Sequence, residues 1–266
     1  MSVQLRIEPI VAEGSEGSAG FRADIVLDRP EVLNAMNWDV FIALDRVTSE
    51  IASHQDVRVV VVSGSGRSFS SGIDTATFGS ADLPGGDLIA QAQAGVRKLA
   101  ALPMPVVAAV RGHAYGAGLQ LALVCDLRVV TKDAKLGLLE AKYGLIPDLG
   151  GTHQLTALTG PAVAKQMMWL AEKIDGAEAH RRGIAQYLVD DDKLEETVDE
   201  LATKLGMAPP LVARGVKALV ESASTSTFVK SMDDVAGLQA DVMASNDFGE
   251  AISAFLEGRV PLYRGA

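Results

Sequence analysis

Apolar residues recur along the chain with two different periods, and the change of period marks out the elements. Val106 to Val110 is a continuous run of β-branched or small residues, which suits a strand buried on both faces, and Val57 to Ser63 (VRVVVVS) reads as a second buried strand. Residues 3–11 and 21–27 read as two further strands, joined by a Gly/Ser/Glu turn from Glu13 to Gly20. Pro30 closes the second of them, and Asn37 is a good N-cap for a helix running to about Ser53. Asp87 to Ala101 has the spacing of another helix. Strand and helix alternate, so the core is expected to be mostly parallel. After about Thr152 the character changes. Gly160 and Pro161 precede a helix through Leu170, GAEAHRRG is a short helix and AQYLV a short strand. Helical periodicity then covers 192–206, 210–223, 227–245 and 247–257. A soft boundary is expected near residue 195, with 1–195 as the core and 196–266 as a helical region packed on its neighbours.

The stretch from Pro105 to Thr152 holds the chemistry. Behind the Val106 strand, Arg111-Gly112-His113 reads as a turn. Gly116-Ala117-Gly118 then opens an apolar helical run, Leu119 to Cys125. Small residues let backbone bend tightly and approach a ligand closely. Free N–H groups at the start of such a helix suit a bound or developing negative charge. Further on, Glu140 and Asp148 stand among Leu138, Leu139, Leu145, Ile146 and Leu149. A charge in apolar sequence is costly unless it is used or paired. Taken alone, each acid reads more readily as a solvated loop residue than as a catalytic one. A second Gly/Ser loop, GSGRSFSSGID at 64–74, leaves the C-terminal end of the Val57 strand, where open α/β sheets bind ligands.

Composition narrows the choices. The 266 residues carry a net charge of −10, which argues against broad binding to nucleic acid or anionic membranes. Any polyanionic ligand must be held by a few local cations. Cys125 is the only cysteine, so no disulfide framework or cysteine metal cluster exists, and it reads as a small core residue. The N-terminal MSVQLRIEP has no long apolar run, and a cytoplasmic protein is expected. GSGRSF lacks the third glycine of a dinucleotide loop, and no phosphate-loop lysine or G-x-S-x-G elbow is present. His54, His113, His153 and His180 show no metal spacing.

The pieces together resemble the crotonase superfamily, the enoyl-CoA hydratases and isomerases. LDRPEVLNAM is similar to that family's N-terminal CoA-contact segment, and SFSSGID and GHAYGAGLQLALVCD to its two oxyanion-hole loops. LGLLEAKYGLIPDLGGT is similar to the segment bearing its catalytic acids, and EAISAFLEGRVPLYRG to its C-terminal signature. The resemblance implies an α/β fold, a spiral of ββα units followed by a helical trimerisation region. It also implies a homotrimer or a dimer of trimers, and a CoA thioester as substrate with no permanently bound cofactor or metal. The family's two oxyanion N–H donors fall on Ile73 and Ala117. The hydratases' two glutamates fall on Glu140, which is present, and on Gln120, which is not an acid. Some isomerases place a working aspartate where Asp148 stands. Contacts to the thioester and its CoA fall on Arg29, Leu33, Ala35, Ser71, Gly72, Asp74, Tyr115, Gly116 and Gly118. Arg259 or Arg264 is placed to reach a neighbouring subunit's site, and Glu31 stands where some members have lysine. The loop from Phe78 to Gly86 is expected to line the acyl pocket. The implied activity is double-bond migration, with hydration by Glu140 alone or a non-catalytic acyl-CoA-binding trimer as the competing readings.

Overall fold

The computed structural model describes residues 2–11, 18–79 and 87–266. The valine runs sit at its centre. β3 (Val57–Gly64) and β4 (Val106–Val110) pair in parallel, as do β4 with β6 (Leu127–Thr131) and β6 with β9 (Tyr187–Val189). β1 (Val3–Val11) and β2 (Ser18–Leu27) form an antiparallel hairpin, and β2 joins β3 in parallel. The six-stranded order is β1-β2-β3-β4-β6-β9. Alternate side chains go to opposite faces, as the strand period requires. Val60, Val62, Val106, Ala108 and Val110 enter the main core. Val59, Val61, Val107, Ala109 and Val129 pack on the other side, against Leu194, Val198, Leu201 and Ala202 of α7 (Leu194–Gly206). Both faces are covered, which is why these strands read as unbroken apolar runs.

Two amphipathic helices close the main core. α1 (Trp38–Ser53) buries Val40, Phe41, Leu44, Val47, Thr48 and Ile51, and the Asn37 side chain caps it by accepting from the Val40 N–H. α2 (Leu88–Ala100) buries Ala92, Gly95, Val96 and Leu99 and is capped by Asp87. The helices cross at Gly95, where a Cβ would lie 2.6 Å from the Asp45 backbone nitrogen. No larger residue fits at that crossing.

The stretch after β4 is more finely divided than its pattern suggests. His113 does not remain in a turn: β5 (His113–Tyr115) pairs in parallel with β7 (Lys135–Gly137), and β7 with β8 (Ile174–Asp175), forming a second small sheet. Only Gly112, with φ of 60°, makes the turn itself. Three residues of strand are too few to show a period. α3 (Ala117–Leu123) follows, then α4 (Gly151–Thr159), α5 (Pro161–Trp169) and α6 (Gly176–Arg181). Buried Arg128 caps the open end of α3 by donating to the carbonyls of Ala122, Leu123 and Cys125. α8 (Pro210–Ser222), α9 (Phe228–Ala244) and α10 (Asn246–Glu257) complete the chain. Among the described residues, no helix is long and apolar enough to cross a membrane.

Candidate active site

Two loops meet at the C-terminal ends of β3 and β4, and backbone hydrogen bonds zip them together. Phe69 N–H donates to Arg111 O at 2.9 Å, Ser70 N–H to His113 O at 2.8 Å, and Tyr115 N–H to Ser70 O at 3.1 Å. The approach is close enough to demand glycine. A Cβ on Gly118 would fall 2.6 Å from Ser70 Cβ, and one on Gly72 would fall 2.8 Å from Tyr115 O. A third segment locks the first loop from behind. Leu33 and Asn34 have φ of 54° and 56°, a left-handed conformation that asparagine tolerates and that is uncommon for leucine. Buried Asn34 holds it: Oδ1 accepts from the Arg29 N–H at 2.8 Å, and Nδ2 donates to Ser65 O and Ser68 O at 2.9 and 2.7 Å.

This framing brings to one cavity two backbone N–H groups that its own hydrogen bonds do not use. Met36 pairs with the residues flanking Ile73, donating to Gly72 O and accepting from Asp74 N–H. Alternation along the bridge turns the Ile73 N–H to the other side. Ala117 is the first residue of α3, so its N–H has no partner within the helix. Both residues line a cavity of about 700 Å³.

The opposite wall is made of side chains. Glu140 begins a short 3-10 turn and lies over the start of α3, where a Cβ on Gly116 would be 3.3 Å from Glu140 Oε1. Gln120, only 1% exposed, donates from Nε2 to Glu140 Oε1 at 2.8 Å. Its Oε1 accepts from the Leu149 N–H at 2.7 Å and the Gly151 N–H at 3.1 Å. Asp148 stands next to this bridge, with its backbone carbonyl accepting from the Gln93 side chain of α2. Glu140 Oε2 is buried without a hydrogen-bond partner. Burial pushes the Glu140 carboxyl above its ordinary range and the Asp148 charge adds to this, while its own backbone N–H and Gln120 pull it back. Asp148 keeps solvent contact, yet desolvation by the surrounding wall raises it too, against the pull of its own backbone N–H.

Ala35, Ser71, Gly72, Asp74, Tyr115 and Gly116 line the same cavity, as the sequence implied. Four expected residues do not. Gly118 is taken up by the contact with Ser70, and Leu33 lies behind the loop in its left-handed turn. Arg29 pairs with Asp74 at 3.0 Å and donates to Ala35 O, so its guanidinium braces the Ile73 loop. Arg264 is exposed and lies away from this chain's cavity, held through its backbone by Asp247 and Arg58. Arg259 is bound within the chain by Glu250 and Glu257. The side chains of Phe78 to Gly86 lie outside the described residues. The apolar end instead shows Trp38 and Phe41 of α1, with ring centroids 5.8 Å apart, facing Leu88, Ile89 and Ala92 of α2. These were missed because a helix's period tells which face is buried and not which neighbour it meets. Leu145 and the 80%-exposed Ile146 form part of the cavity lining.

Two backbone donors and two carboxyls with raised pKa on one cavity suit chemistry beside a carbonyl, in which an oxygen gains charge while a neighbouring carbon loses or gains a proton. Comparison with known proteins agrees with that class. The enoyl-CoA hydratase/isomerase family profile matches residues 20–266. The 1,2-epoxyphenylacetyl-CoA isomerase of Escherichia coli is 33% identical over 246 residues, covering 91% of this chain and 94% of that one. The crotonyl-CoA hydratase of Syntrophomonas wolfei is 31% identical over 239 residues, covering 89% and 92%. A Thermobifida fusca protein crystallised with CoA superposes with a TM-score of 0.82 at 34% identity, covering 91% and 93%. The chain belongs to the enoyl-CoA hydratase/isomerase family of the crotonase superfamily, whose members act on CoA thioesters.

Proposed function

We propose that this enzyme moves a double bond within an enoyl-CoA thioester, with Asp148 carrying the proton. The thioester oxygen sits between the Ile73 and Ala117 N–H groups. Asp148 removes a proton from C2 of a 3-enoyl chain, and the electron pair moves onto the oxygen as an enolate. The two fixed donors stabilise that charge more than they stabilise the ground state, each contributing roughly 10²–10³ in rate. Asp148 then returns the proton to C4, leaving the 2-enoyl product. Desolvation favours this role, since a carboxyl raised toward neutral pH is a better shuttle than an ordinary aspartate.

The observation that carries migration over hydration is the 2.8 Å bond from Gln120 to Glu140. Hydration needs a water aligned and deprotonated by carboxylates. Here one of the two family positions is an amide that cannot take a proton, and it contacts the other position directly. The unpartnered Glu140 Oε2 favours the second reading, a hydratase with Glu140 as its sole acid. A panel of 2-enoyl, 3-enoyl and dienoyl thioesters, with migration and hydration followed separately, decides between them. Migration above hydration is expected. Hydration alone would overturn the isomerase reading, and thioester binding without turnover would overturn both.

CoA is held as part of the substrate. We place exposed Arg264 at the anionic end of a thioester in a neighbouring copy, and Arg29 behind the loop rather than on the phosphates. The row of exposed apolar residues on α8 to α10, including Val220, Phe228, Val229, Phe255 and Leu256, supports a homotrimer or dimer of trimers. Sedimentation at micromolar concentration checks this, and a monomer would contradict it.

A further inference from the structure

We infer that Gln120 is a positioning residue that holds both acids in register and requires a neutral side chain to do so. The inference rests on the site proposed above. Its activity readout rests also on the migration reading, since a glutamate at position 120 would supply a hydratase with its second acid; its melting readout rests on the site alone. The orientation of the amide is forced. Backbone N–H groups can only donate, so the atom facing Leu149 and Gly151 must be the carbonyl oxygen. The NH₂ group must then face Glu140, and Glu140 Oε1 must be the acceptor. One buried side chain thus fixes the residue after Asp148, the first residue of α4, and the rotamer of Glu140. There is no slack to take up a change, because a Cβ on Gly151 would fall 2.6 Å from Gln120 Cγ.

A glutamate at position 120 has the same shape and can accept the same two N–H bonds. Its other oxygen would face Glu140 Oε1 across the present 2.8 Å contact, and two ionised carboxylates do not stay at that separation. When the pair holds one proton, the hydroxyl donates as the amide does and the arrangement is restored. When the proton leaves, the bridge opens on the Glu140 side: the Leu149 and Gly151 N–H bonds can persist, but Glu140 is pushed from its rotamer beside Asp148. The other titratable groups facing this space are Asp148 itself and, on the cavity lining, Tyr115, Tyr143 and Asp74, which is paired with Arg29. The group on α2 that meets the Asp148 segment is neutral Gln93.

The test compares Gln120→Glu and Gln120→Met with the unchanged enzyme, using double-bond migration in an enoyl-CoA thioester as the activity. Gln120→Met should lower kcat about tenfold or more at every pH, with a smaller change in KM. For Gln120→Glu, activity relative to the unchanged enzyme should rise at least about tenfold on going from roughly pH 9 to pH 6. Its melting temperature relative to the unchanged enzyme should rise in the same direction, because the shared proton stabilises only the folded pair. The melting comparison needs no turnover, so it stands even if the enzyme proves not to be an isomerase. It also serves as its own control should Gln120→Met fail to fold. Parallel pH profiles of activity and melting in Gln120→Glu and the unchanged enzyme, or an unchanged kcat in Gln120→Met, would overturn the inference.

Discussion

The wall of the cavity that carries Ile73 and Ala117 is made of backbone, while the wall that carries Glu140 and Asp148 is made of side chains. The backbone wall is fixed three times over, by interloop hydrogen bonds, by glycine contacts and by the Asn34 clamp. The side-chain wall is tied to the rest of the site mainly by side chains, Gln120 from within and Gln93 from α2, beside local turn bonds such as Leu145 N–H to Glu140 O. The difference suits the chemistry proposed for each. A donor to a developing oxyanion works only if it is already aimed and needs no reorganisation. In the proposed migration a proton carrier that serves two carbons in turn must reach both, which a short carboxyl arm on an open segment allows.

Changes to the two walls should therefore fail in different ways. Asp148→Asn keeps size and hydrogen bonding but cannot accept a proton, and should lower migration by about 10³–10⁴, read as kcat on a 3-enoyl thioester. Unchanged migration would remove Asp148 from the role given to it. Ala117→Pro deletes one donor and should lower kcat/KM by about 10²–10³ in protein that still melts normally. Gly118→Ala leaves both donors in place but drives a methyl into Ser70. It should cost about ten- to a hundredfold in kcat, with thioester binding less affected. A neutral result would mean that the loops are softer than their spacing implies.

The next effect is a pH dependence. If Asp148 carries the proton as proposed, it must be ionised to take it, and its pKa is raised, so activity should fall with falling pH at a midpoint above that of an ordinary aspartate. The smallest effect concerns stability. The folded state raises the Glu140 pKa, so it binds that proton more tightly than the unfolded chain does. The resulting stabilisation is complete below the unfolded carboxyl range and is lost as pH rises through the folded value. Glu140→Gln removes the ionisable group while its oxygen can still accept from Gln120. It should melt about 2 °C higher than the unchanged protein at neutral pH, with the gap closing in acid.

The backbone wall was largely legible in the sequence. Glycines at 72, 112, 116 and 118 mark tight turns and close approaches, and the valine runs place the loops at strand ends. Asn37 as the cap of α1 was legible for the same local reason. The side-chain wall was less so. The bridge from Gln120 to Leu149 and Gly151 spans about thirty residues and leaves no periodic trace. The left-handed pair Leu33 and Asn34 was hidden because neither residue announces that conformation as glycine would. Arg29 looked like a free cation, and only the fold shows Asp74 beside it.

The crossing of α1 and α2 has a consequence for which acyl groups fit. Gly95 meets the backbone at Asp45, while Trp38 and Phe41 on one helix and Leu88, Ile89 and Ala92 on the other lie one to two turns toward the N-termini. The contact acts as the pivot of a pair of calipers whose jaws form one end of the cavity wall. A methyl group at position 95 would force the pivot open and change the gauge at the jaws without altering any residue of that lining. On the proposed function, selection among acyl shapes would then be tuned from a point outside the cavity.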